Sequence, residues 1–130
     1  KKNGKKIIDF KKNNLHVMGY SQPINKIIEK KDLLKKLFTE KNRPNAIPYV
    51  TSYYKKDWGF CMSENQKNSL KKGKYTVFIK SNFQKGNLEC SHALIKGRSK
   101  KEIFFSSYVC HPSMANNELS GPIVSMSLIN

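Results

Sequence analysis

Between residues 110 and 121 the chain reads Cys-His-Pro-Ser-Met-Ala-Asn-Asn-Glu-Leu-Ser-Gly, and this stretch gathers side chains able to do chemistry. A histidine nitrogen is a good zinc ligand, and the Glu118 carboxylate, a few residues beyond His111, can reach the same ion across a loop. Cys110 competes as a ligand, but alternation along a strand turns it to the face opposite His111. On spacing alone, His111 stays open between a structural role before Pro112 and a metal ligand.

Two elements have to position that loop. Ile103 to Val109 has the length and the β-branched and aromatic content of a buried strand. It delivers His111 at a carboxyl end, where α/β proteins gather ligands. Pro122 suits the first turn of a helix, where its missing N–H goes unused, so Ile123 to Ile129 is predicted to open one.

Other candidates lie upstream. His16, between Leu15 and Val17, is either a hydrogen-bonded structural histidine or part of a substrate cleft, whereas lysine-flanked His92 is expected to be exposed. Tyr49, Tyr53, Tyr54, Trp58 and Phe60 read first as packing for a small β domain, with a stacking platform for a sugar or peptide as the sharper alternative. Ser113, Ser120, Ser125 and Ser127 lack a nucleophile-elbow pattern.

Short strands are expected at Lys5 to Phe10, Leu15 to Met18, Ile47 to Tyr54 and Tyr75 to Lys80, the last with clear alternation. Asp32 is a plausible cap for a helix carrying Leu33, Leu34, Leu37 and Phe38, and residues 63–72 read as a short helix or loop. A hairpin connection over residues 81–87 should lead to a second strand, Leu88 to Ile95, with the three cysteines reduced and buried. The predicted class is α+β: a β-rich portion over residues 1–99, then one strand and a helix start over 100–130. That second portion cannot form a domain alone and must borrow a sheet.

The chain has 130 residues and a formal net charge of +16. Its cations are nearly all lysine, with only Arg43 and Arg98 to supply bidentate forks, and they are spread along the sequence. This argues against nucleic acid and for a solvated lysine surface. Three cysteines without a C-x-x-C spacing argue against a disulfide framework and a zinc knuckle, and fit a cytoplasmic protein. No stretch has transmembrane length. Starting at Lys1 and stopping at Asn130 inside an apolar pattern, the sequence reads as a piece of a longer protein.

The string Cys110 to Pro122 resembles the zinc-binding loop of the di-zinc aminopeptidase-like family, of the leucyl-aminopeptidase and glutamate-carboxypeptidase type. Asp9 to Ser21, Ile47 to Tyr54 and Trp58 to Cys61 are similar to the inserted domain that interrupts the peptidase domain in that family. The resemblance implies that His111 is a zinc ligand and that the bridging aspartate position falls on Asn117. A neutral amide cannot balance two dications as a carboxylate does, and the adjacent Glu118 could take its place if the loop shifts by one residue. In the family's chemistry, zinc polarises the scissile carbonyl and activates a water that attacks it.

Because the insert joins directly to the His111 strand, it is expected to restrict access to the active site, with His16, Tyr53 and Trp58 as its candidate substrate contacts. The resemblance further implies zinc in the longer protein, none required in this piece, a peptide or amide substrate, and an inactive fragment that needs the rest of the peptidase domain as partner. Members of this kind are associated with surface-polysaccharide biosynthesis. The alternatives are a binding or scaffolding module that lost its zinc pair, and a basic polyanion-binding domain.

Overall fold

The computed structural model describes residues 1–111 and 114–129, and the fold is a small mixed α+β one. The chain divides into two compact units, Lys1–Gln84 and the residues from Lys85 onward. The units are described separately.

The first unit is organised by an antiparallel pair, β1 (Ile24–Glu29) and β4 (Lys74–Ile79), in register Ile24 to Ile79 and Glu29 to Lys74. In β4 the expected alternation places Tyr75, Val77 and Ile79 inward, with Thr76 and Phe78 outward. Its partner is β1, not the anticipated strand at Leu88 to Ile95; that segment carries no strand and is exposed. β1 escaped the sequence reading because only Ile24 and Ile28 are half-buried among exposed neighbours, which leaves no period of two to detect.

The predicted helix around Leu33 to Phe38 is broken in two. Helix α1 spans Lys30–Leu34, with Asp32 in its first turn and Glu29 at the cap position. Leu37 and Phe38 turn extended as β2, which pairs in parallel with β3 (Phe60–Cys61). Gly59 permits this pairing, because a Cβ there would meet the Phe38 ring at 2.6 Å and the Lys36 carbonyl at 3.3 Å. The Lys36 carbonyl accepts from the Phe60 N–H at 2.8 Å. Beyond β3, Ser63 caps α2 (Glu64–Asn68) through a reciprocal capping box with Gln66.

Around these elements Leu33, Leu37, Phe60, Met62, Leu70 and Tyr75 bury together with Val77 and Ile79. Two predicted strands are absent: Lys5 to Phe10 contributes only a bridge between Lys2 and Lys5, and Ile47 to Tyr54 only a bridge from Thr51 to Gly19. The second holds its contact without a ladder because Gly19 donates to Val50 and its carbonyl accepts from Ser52. Leu15 to Met18 is likewise no strand: Asn14–His16 form a 3-10 turn closed by the Asn13 side chain on the Leu15 N–H, and Val17, extended, makes only a bridge to Phe60.

From Lys85 to His111 the chain has neither helix nor strand. Ile103 to Val109 is therefore not the buried strand its composition predicted; Phe104 is 88% exposed. Apolar content gives a strand reason to be buried, but no described residue offers it a ladder partner. Helix α3 runs Asn116–Ile129, so Pro122 lies inside the helix and not in its first turn. There it withholds the N–H that the Glu118 carbonyl would otherwise meet. Gly121 is required by a close approach: a Cβ there would collide with the Ser107 hydroxyl, so the irregular segment runs directly over α3 at this point.

Candidate functional site

His111 follows the irregular segment and is half-buried, five residues before the start of α3. Its neighbour Cys110 does not point away, as strand alternation required, because no strand forms: the Cys110 Sγ lies 3.3 Å from His111 Nδ1. Glu118, in the first turn of α3, is 6% exposed, and its Oε2 accepts the Cys110 N–H at 2.6 Å. Its other oxygen, Oε1, is buried without a hydrogen-bond partner. A buried carboxylate oxygen left unpaired is costly, and it fits a site awaiting a donor or a cation.

Asn117 is exposed, and its N–H donates to the Met114 carbonyl at 3.1 Å. Of the two adjacent candidates, Glu118 is thus the buried one. Pro112 and Ser113 of the motif, like Asn130, lie outside the described residues. Ser120 and Ser127 spend their hydroxyls on helix carbonyls at Asn116 and Ile123, each at 2.9 Å.

Among the described residues, no three His, Cys, Asp or Glu side chains are placed to hold a metal ion. One imidazole and one buried carboxylate do not fit zinc by themselves, since a zinc site needs three or four protein donors. The donor types suit zinc; their number does not.

The upstream candidates fall in the first unit. His16 is buried, and its Nδ1 donates to the Cys61 carbonyl at 2.8 Å, because a carbonyl can only accept. It also lines a cavity of about 1130 Å³. Tyr53 is 43% exposed and sits with its ring 4.8 Å from Tyr20 and 6.2 Å from Tyr54. Trp58 instead packs edge-on against Phe60 at 6.0 Å, with the Lys36 ammonium 5.6 Å above its ring. The aromatic cluster of the sequence is therefore two ring groups, one exposed and one built into the core.

The Lys36 ammonium also pairs with Asp57, and this bond, with the Trp58 N–H at 2.8 Å, holds the Asp57 carboxyl below its ordinary pKa. Sequence reasoning missed Tyr20, which touches Tyr53 and borders the His16 cavity. Its φ of 63° puts a bulky residue in the left-handed region, a signal invisible in the residue type. The cysteines differ from expectation as well: Cys61 is buried, whereas Cys90 and Cys110 are exposed, since neither segment carrying them enters a core.

Residues 1–82 match the family model described as domain of unknown function (DUF2172). Over 118 residues, 91% of the chain, the sequence is 44% identical to a protein of Clostridium acetobutylicum named as a candidate polysaccharide biosynthesis protein with an aminopeptidase-like domain. The chain spans about a quarter of the length of this curated relative, 27%. It is also similar to the crystal structure of a candidate peptidase from Clostridium acetobutylicum, at 44% identity and a TM-score of 0.58, covering 59% of this chain and 18% of that one. These names support kinship with peptidase-like proteins and stop short of zinc and of the leucyl-aminopeptidase type. No helix among the described residues is long and apolar enough to cross a membrane.

Proposed function

The chain belongs to the DUF2172 family, and from that premise we propose that it is part of a longer, zinc-dependent, aminopeptidase-like hydrolase of the cytoplasm. In this reading residues 1–99 are an inserted domain that limits access to the active site, and His111 supplies one zinc ligand to donors outside these 130 residues. His16, Tyr53 and Trp58 are the insert's candidate substrate contacts, and the substrate is a peptide or another amide.

The observation that carries the reading is the buried, half-unpaired Glu118 carboxylate in the motif that holds His111. It is supported by the aminopeptidase-like name of a relative 44% identical over nearly the whole chain. Exposure of Ile103 to Val109 and an α3 that is apolar on several sides, with Leu119 57%, Val124 58% and Met126 65% exposed, suit elements that complete a larger α/β domain.

The test is metal content and amide hydrolysis in the longer protein after zinc reconstitution. His111→Ala is expected to lose bound zinc and to lower hydrolysis by at least 100-fold, while Asn117→Asp should raise zinc occupancy. Wild-type protein that takes up no zinc would instead favour a non-catalytic binding module, the reading that the amide at Asn117 otherwise supports.

A further inference from the structure

We propose that the cavity in residues 1–84 is a binding site for an aliphatic chain bearing an anionic head group. Its volume of about 1130 Å³ slightly exceeds that of most small-molecule pockets, which bury an apolar ligand body and fix it with a few polar groups. The apolar part of the wall includes Leu33, Leu37, Leu70, Val77 and Ile79, with aromatic rings such as Phe60 and Tyr75 beside them. Along this apolar part water would find few partners, which favours an apolar occupant there.

The charged groups at the cavity are mostly cationic. Lys1, Lys6, Lys11 and Lys80 border it against a single carboxylate, Asp9, and Asp9 is already paired with Lys6 at 2.6 Å. Lys11 and Lys80 are exposed residues of the lining, placed to offer positive charge to a head group. His16 is the imidazole in the lining; with Nδ1 committed to the Cys61 carbonyl, Nε2 is the nitrogen open to a ligand. A neutral ring offers a lone pair there and a protonated ring an N–H, so it can meet either a hydroxyl or an acid oxygen.

An extended peptide fits less well. Strand β4 borders the cavity, and the backbone N–H of Thr76 that a peptide would use is already donated to the Lys1 carbonyl at 2.9 Å. A flexible hydrocarbon chain needs no backbone partner. The site is built from residues of the first unit alone and does not depend on the hydrolase reading.

The experiment is calorimetric titration of the 130-residue chain with four probes below their micellar concentrations: dodecanoate, dodecyl phosphate, dodecanol and dodecyltrimethylammonium. One or both anions should saturate at one per chain, at least tenfold tighter than the alcohol and the cation. The stronger anion tells whether the head group is a carboxylate or a phosphate. Lys11→Glu with Lys80→Glu, at exposed positions, should weaken the anion about tenfold while leaving the melting temperature within a few degrees. Equal binding of all four probes, non-saturating uptake at several per chain, inorganic phosphate binding as tightly as dodecyl phosphate, or an unchanged affinity in the double variant would each overturn the proposal.

Discussion

Residues 1–84 and the residues after Lys85 have similar raw material and different outcomes. In the first unit Tyr75, Val77 and Ile79 alternate on a strand, find β1, and become 2%, 4% and 7% exposed. In the second, Ile103, Phe104 and Phe105 form a more apolar run, find no ladder, and stay 83%, 88% and 62% exposed. The difference lies in the partner. A strand's burial is a property of a pair, because each unpaired backbone N–H and C=O that leaves water must be bonded. The first unit supplies its own partner from Ile24 to Glu29; among the described residues the second has none.

Substitution at matched aromatics tests this contrast most severely. Tyr75→Ala removes a ring almost wholly inside the core and the hydroxyl that donates to the Lys71 carbonyl at 2.6 Å, and is expected to cost about 3–5 kcal/mol in urea unfolding. Phe105→Ala should stay within about 0.5 kcal/mol in the same chain. Comparable losses at both positions would break the comparison.

The cysteines give a second probe of the same divide. Burial pushes the Cys61 thiol from its ordinary 9.0 to about 11, whereas Cys90 and Cys110 are exposed. A thiol that stays neutral in the fold while the unfolded chain ionises makes stability full below pH 9 and progressively lost as pH rises from 9.0 towards about 11. Cys61→Ala should flatten that part of the alkaline stability curve. At neutral pH a thiol reagent should label Cys90 and Cys110 promptly and Cys61 only on unfolding; prompt labelling of all three would mean that the first unit is open too.

The smallest effect sharpens the comparison within the first unit. Ser63→Ala removes the side-chain half of the α2 capping box and should cost about 1 kcal/mol by chemical denaturation. No change would show that α2 is held by tertiary contacts alone.

How much could be read beforehand follows the same line. Strand β4 was legible because one of its faces is buried and the other is wet, which writes a period of two into Lys74 to Ile79. A short helix after Ser63 was legible as one of two readings, and the exposure of His92 was anticipated. The turn to extended chain at Leu37 was not, because Leu33, Leu34, Leu37 and Phe38 also satisfy helical spacing and only the approach of Gly59 to Phe38 decides the matter. At the candidate site, the residue types of His111 and Glu118 stood out, while the Cys110 N–H bond to Glu118 and the crossing of Ser107 over Gly121 are facts of three-dimensional placement. Local pattern carries propensity; it does not carry the identity of a distant partner.

The pairing of Ile24 with Ile79 also bears on synthesis. A hairpin closes as soon as its turn is made, but β1 must wait for β4 while the intervening chain emerges from the ribosome. Loop-closure entropy over that separation has to be met before the sheet's contacts are gained, so the unit should gain its core late and in one step. Until then Ile24, Ile28 and the Leu33 to Phe38 run stand uncovered on a nascent chain, a window in which a chaperone has something to hold.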